Sequence, residues 1–150
     1  MQFGVITYSL DPSQQGIMIA KALNDHIATH TNLCPIVFYR DYYQSLITPL
    51  FPMMQEVEAW QFTGPVIATS LESAKRLLKY PSPSKKFLYV LNLEWTYEQN
   101  ANYDELSSIY ANINLIARSQ DHFNLLKNTW ATPVGIAEDF NCQQIMGIIS

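Results

Sequence analysis

Four short apolar runs punctuate this chain, and each breaks into polar residues at its carboxyl end. Phe3-Gly4-Val5-Ile6-Thr7 leads into the stretch from Tyr8 to Gly16. Pro65-Val66-Ile67-Ala68 leads into Thr69-Ser70. Phe87-Leu88-Tyr89-Val90-Leu91 leads into Asn92-Leu93-Glu94-Trp95, and Asn114-Leu115-Ile116-Ala117 into Arg118-Ser119. Runs this short do not make helices and suit strands buried on both faces. Pro35-Ile36-Val37-Phe38-Tyr39 reads as a further strand, and Val134-Gly135-Ile136-Ala137 as a short last one. Helical patterns follow most of these runs. The alternation predicts one three-layer α/β domain over residues 1–150, with a mainly parallel sheet of five or six strands. Ligands of such sheets sit outside the carboxyl ends of the strands, so the polar clusters mark the edge to search.

Capping side chains mark the helix starts. Asp11-Pro12-Ser13-Gln14 offers a cap acceptor, proline at the first helical position and glutamine at the third. Thr69 with Glu72, Asn102 with Glu105 and Asn141 with Gln144 repeat the capping box, and Ser119 is a plainer cap. Ile17, Ala20, Leu23 and Ile27 form one apolar stripe, and Leu71, Ala74, Leu77 and Leu78 another. Leu106, Ile109 and Tyr110 mark a third helix, and Phe123, Leu125 and Leu126 a fourth. Pro49 and Pro52 exclude a long helix between Arg40 and Gly64, and residues 53–60 read as a short one. In the last helix, Ile145, Met146, Ile148 and Ile149 crowd more than one face. They predict packing against the domain or against a second subunit, with self-association through Ile145-Ile149 the favoured expectation.

Composition narrows the partners. Nine basic residues against thirteen acidic ones give a net charge of −4, so duplex nucleic acid is not an expected partner. The one basic cluster (Lys75, Arg76, Lys79, Lys85 and Lys86) reads as a solvated helix-loop face. No signal peptide and no apolar stretch of membrane-spanning length stand in the sequence. Cys34 and Cys142 show no metal or redox spacing, which predicts a reduced, cytoplasmic protein.

Four groups are candidates for chemistry. The Ser9 to Gly16 loop joins a strand to a helix start, a natural anion site, with Ser9, Ser13, Gln14, Gln15 and Gly16 as contacts. It has neither a Gly-x-Gly-x-x-Gly nor a P-loop lysine, and Asp11 serves equally well as a plain cap. Glu94 at a strand end is placed as a general base or as an acceptor for sugar hydroxyls, and Trp95 as a stacking face. The alternative for both is an ordinary loop over the sheet end. Thr69, Ser70 and Ser73 form the third group, and Arg118, Ser119 and His122 the fourth. Arg118 suits a phosphate, or an acid of a neighbouring loop. His26 and His30 stand four apart on a helix, but no third ligand is near, so a solvated face is expected rather than a metal site. No cofactor is indicated.

The runs Pro65 to Ala74, Leu115 to Phe123 and Val134 to Asn141 resemble the amino-terminal Rossmann-like lobe of two-lobed, GT-B fold glycosyltransferases. The resemblance implies that the Ser9–Gly16 and Glu94 loops face an interlobe cleft. It also implies that this lobe supplies acceptor contacts and, in inverting members, the catalytic base, here Glu94. Donor binding in that family rests mainly on a second lobe, whose acidic motif has no counterpart here. The expected function is therefore a glycosyltransferase-like, acceptor-side lobe handling a sugar or nucleotide-sugar, without assured catalysis of its own. The alternative is a non-catalytic α/β binding or interaction module. A ligand is expected between the Ser9–Gly16 loop and the Glu94–Trp95 loop.

Overall fold

The computed structural model describes residues 2–30, 34–42, 45–97, 100 and 102–150. The chain runs β1 (Gln2–Thr7), α1 (Gln14–Thr29), β2 (Cys34–Tyr39), β3 (Met53–Gln55), β4 (Val66–Ala68), α2 (Leu71–Leu77) and β5 (Lys86–Val90). It continues through α3 (Tyr103–Asn112), β6 (Asn114–Ala117), α4 (Gln120–Thr129), β7 (Gly135–Ile136) and α5 (Cys142–Ile149). Short 3-10 helices span Glu56–Gln61, Glu94–Thr96 and Glu138–Phe140.

The strands form one seven-stranded sheet in the order β3-β2-β1-β4-β5-β6-β7, and every pairing is parallel. That is the Rossmann-like, three-layer arrangement the apolar runs predicted, with one strand more than the upper expectation. The extra strand is β3, three residues long at the sheet edge. It occupies the start of the segment expected to be a short helix; only residues after it turn helical, as a 3-10 helix. Edge pairing with β2 outweighs the local pattern there, joining Val37 to Met53 and Tyr39 to Gln55.

Period-two alternation sorts the core into two halves. Phe87 and Tyr89 of β5 pack with Phe3, Val5, Ile67 and Ile116 beneath α1 and α5. Leu88 and Val90 face the other way, with Ile6, Val66, Ala68 and Leu115 beneath α2, α3 and α4. Ile145 and Ile149 are fully covered in the first half, and Met146 and Ile148 pack at its margin. The terminal helix therefore lies on its own sheet. Its apolar residues, expected to favour self-association, are satisfied within the chain.

Several local expectations shift by a residue or two. Ser13 rather than Asp11 caps α1, its hydroxyl accepting from Gly16 N, while Asp11 accepts from Ser13 N. The buried stripe of α1 is Gly16, Ile19, Ala20, Leu23 and His26. His26 is thus buried against its stacked neighbour His30, not solvated. Burial, then the neighbouring His30, lowers its pKa. Ser70, not Thr69, caps α2, in a reciprocal box with Ser73. Asn102, Ser119 and Asn141 cap α3, α4 and α5 as expected. Arg76, expected on a solvated face, is drawn into a pair with buried Glu56. Both cysteines are free, and burial pushes the Cys142 thiol up to about 12. No helix among the described residues is long and apolar enough to cross a membrane.

Candidate functional site

Strand order reverses at β1, because the chain builds outward to β2 and β3 and then returns to place β4 on the other side. Such a switch point opens a crevice at the carboxyl ends of the strands. Here hydrogen bonds lace that point together. Thr69 donates to the Ile6 carbonyl from both its N–H (3.2 Å) and its hydroxyl (3.1 Å). The Gln15 side-chain amide donates to the Thr69 carbonyl at 2.9 Å. Arg40 and Asp41 both donate their N–H groups to the Tyr8 carbonyl, at 3.1 and 3.0 Å.

The open space lies further along the same edge. A cavity of about 380 Å³ is bounded by Ser13, Gln14 and Gln15 at the start of α1, by Leu91 and Asn92 after β5, by Arg118 after β6, and by Asp139 after β7. Met18 lines one side. Three strand ends and one helix start thus converge on a single space. The Arg118 guanidinium donates to the Leu91 carbonyl at 3.4 Å and stands 3.9 Å from the Asp139 carboxylate. Helical geometry leaves the N–H groups of Gln14 and Gln15 without an intrahelical acceptor, and the dipole of this sixteen-residue helix adds partial positive charge there.

The first loop holds its shape because Gly16 lets it close. A Cβ at Gly16 would stand 2.3 Å from the Asp11 carbonyl oxygen, so the close approach is to the loop's own backbone. Hydrogen bonding from Ser13, its side chain first, keeps the Asp11 carboxyl below the ordinary carboxylate range despite partial burial. Gly16→Ala should therefore destabilise the protein by about 1–3 kcal/mol, even though alanine is the better helix former. Urea unfolding measures this; an equal or higher midpoint would mean that the loop yields freely and does not define the site.

The structure divides the sequence-derived candidates. Ser13, Gln14, Gln15 and Arg118 line the cavity. Ser9 is buried beneath the loop, and its carbonyl accepts from the Thr7 hydroxyl at 3.2 Å. Thr69 ties β4 to β1, while Ser70 and Ser119 act as helix caps. Glu94 lies outside the cavity lining. Its carboxylate accepts from Leu71 N at 3.0 Å, where it complements the start of α2. Trp95 belongs to an aromatic cluster on the α3–α4 side, edge-on to Tyr110 at 5.6 Å and to Trp130 at 5.9 Å. The cavity beside Ser13, Gln14 and Gln15 is completed by Leu91, Asn92, Arg118 and Asp139, and neither Glu94 nor Trp95 is among its lining. Glu98, Gln99 and Ala101 of the Glu94 loop lie outside the described residues.

Sequence reasoning missed Asn92, Asp139 and Met18. The strand-end rule already pointed to Asn92, the first residue after the Phe87–Leu91 run. Applied to the last short strand, it would also have reached Glu138-Asp139. Met18 follows Gln14 by four residues on α1, so helical spacing puts it on the same face. Among the described residues, no group of three or more His, Cys, Asp or Glu side chains is placed to hold a metal ion. No protein-family model matches the chain, and neither a curated protein nor a solved structure matches it, so its function is argued from the site alone.

Proposed function

We propose that this chain is a glycosyltransferase-like lobe that binds a sugar or nucleotide-sugar in the cavity above β5, β6 and β7, and that it acts as a binding element rather than a complete catalyst. The observation that carries the reading is the cavity of about 380 Å³, with a guanidinium and a helix start on its walls. Its size falls within the range of small-molecule sites, roughly 300–1,000 Å³. Arg118 and the first turn of α1 complement a phosphate, through charge-assisted hydrogen bonds and unpaired backbone N–H groups. The amides of Asn92 and Gln14 both donate and accept, which suits hydroxyls and a base edge. Leu91 and Met18 supply apolar surface.

Glu94 fits a supporting part better than a catalytic one. Its carboxylate accepts from Leu71 N at the start of α2 and is not part of the cavity lining. Its role is to fix the loop after β5, from which Asn92 reaches the ligand space.

The test is isothermal titration of the chain with UDP, GDP, UDP-glucose and GDP-mannose, repeated on Arg118→Gln. The wild type should bind a sugar conjugate, and Arg118→Gln should weaken it by about tenfold or more, the loss of a charge-assisted contact. Glu94→Gln should leave affinity within about twofold, since the residue stands outside the cavity. Unchanged affinity in Arg118→Gln would remove the phosphate from this cavity. Absence of any sugar-conjugate binding by the wild type would end the reading.

A further inference from the structure

A second space opens beside the first. A groove of about 640 Å³ runs between α1 and α5, lined in part by Lys21, Asp25, His26, Glu138 and Cys142. Met18 and Asp139 line both this groove and the strand-end cavity. The two spaces therefore meet at Asp139.

The backbone there is unusual. Asp139 has φ 47° and ψ 40°, and Phe140 has φ 58°, two successive non-glycine residues in the left-handed region. Isolated aspartates tolerate this conformation through their short polar side chains; a phenylalanine beside one does not adopt it without support. Support comes from beneath. The Tyr89 hydroxyl donates to the Ala137 carbonyl at 2.8 Å and accepts from Phe140 N at 2.9 Å. The Gln144 side chain accepts from Glu138 N at 2.8 Å. The turn is clamped on both sides of Asp139, while the Asp139 side chain remains 82% exposed at the junction.

We propose that Asp139 is the specificity-determining carboxylate of the site, accepting ligand hydroxyls where the two spaces meet and selecting a sugar-bearing phosphate ester over a bare one; this rests on the binding reading above. A carboxylate has two acceptor oxygens and no donor, so it pairs with vicinal hydroxyls and repels a phosphate. Asp139 is the one carboxylate bounding the strand-end cavity among the described residues. Its partner Arg118 stands at 3.9 Å, beyond hydrogen-bond distance, which leaves its oxygens room to accept. The phosphate side of the ligand then falls toward Arg118 and α1, and the hydroxylated side toward Asp139. The groove beyond is lined by Lys21, Asp25 and Glu138 among others, a mixed polar lining that accommodates further hydroxyls better than an acyl chain.

The experiment compares Asp139→Asn and Asp139→Gly with the wild type. Both variants suit the left-handed turn, since asparagine tolerates it and glycine adopts it freely. Their thermal midpoints should therefore match or exceed the wild-type value. Titration uses UDP against UDP-glucose and GDP against GDP-mannose. In both variants the sugar conjugate should weaken by about tenfold. The free diphosphate should bind as well as to the wild type or more tightly, so the preference for the sugar form collapses. If conjugate and diphosphate change equally, or neither changes, Asp139 does not select and the inference is overturned while ligand binding stands. If the wild type binds no conjugate, the binding reading fails first and takes this inference with it.

Discussion

Tyr89→Phe should lower the stability of this protein by about 2–4 kcal/mol, because one hydroxyl serves two buried backbone groups. Removing it leaves the Ala137 carbonyl without its 2.8 Å donor and Phe140 N–H without its 2.9 Å acceptor. Both bonds are buried, Tyr89 is 1% exposed and its ring meets Phe140 edge-on at 4.9 Å. The phenylalanine ring keeps that contact, so the loss reports the hydroxyl and not the packing. The left-handed turn at Asp139 and Phe140 loses its clamp at the same time, and ligand affinity should fall with stability. Chemical denaturation gives the first quantity and titration the second. A loss under about 1 kcal/mol would show that water or a shifted backbone replaces both bonds.

The same residue sets an expectation for pH. Burial pushes the Tyr89 hydroxyl above the ordinary tyrosine range, and the Phe140 N–H bond only partly opposes that. A group whose folded pKa is raised contributes stability that is complete below its unfolded value. That contribution is lost as pH rises through the folded value. The stability advantage of wild type over Tyr89→Phe should therefore be constant through neutral pH and shrink above about pH 10. Tyr80 and Cys142, both raised to about 12, decline with alkali in either protein, so the difference between the two curves isolates Tyr89.

Glu56→Ala should have the larger effect on stability, a loss of about 3–5 kcal/mol. Glu56 is 6% exposed and accepts from Arg76 Nε at 2.6 Å, Arg76 Nη2 at 3.1 Å and the Tyr80 hydroxyl at 3.0 Å. Removing the carboxylate strands a half-buried guanidinium, which keeps only the exposed Glu72 at 2.9 Å. Desolvation alone would lower the Arg76 pKa. Its net rise, through hydrogen bonding and charge from Glu56 and then Glu72, shows that the pairing outweighs burial. The pair holds the 3-10 helix after β3 against α2, bridging the sheet edge to the layer below it. Arg76→Met combined with Glu56→Ala should cost less than the two changes summed, because neither charge is then left alone. Simple additivity in urea unfolding would mean that the bridge carries no coupling.

The sheet was legible because both of its faces are covered. Strands such as Phe87–Leu91 must be apolar at every position, and a short continuous apolar run has few other readings. The edge strand β3 was not legible in the same way. Met53–Gln55 is two methionines and a glutamine after Pro52, with no alternation to set it apart from a helix start. Its pairing with β2 comes only after the chain has folded. Caps came within one or two residues, since Ser, Thr, Asp and Asn compete for the same backbone N–H groups. In Asp11-Pro12-Ser13 and Thr69-Ser70 the tertiary fit of the loop chooses among them.

The chemistry at the carboxyl edge was half visible. Arg118 and the Ser13–Gln15 segment stand where the strand-end rule sends the eye, and they do line the cavity. Glu94 and Trp95 satisfied the same rule by position, yet the fold turns them toward α2, α3 and α4. A strand-end loop leaves the sheet toward one face or the other, and local sequence carries no sign for that choice.

By itself, then, the sequence determined the elements: where apolar runs become strands, where polar side chains start helices, and that polar residues gather at the carboxyl edge of the sheet. These follow from local periodicity and from satisfying backbone hydrogen bonds, both written in neighbouring residues. Only the tertiary structure decided that the return of β4 beside β1 closes the switch point, that Thr69 is consumed in doing so, and that Asp139 rather than Glu94 meets Arg118. Those outcomes depend on strand order and on a turn clamped by Tyr89, fifty residues away along the chain to Asp139 and in contact only through the folded core.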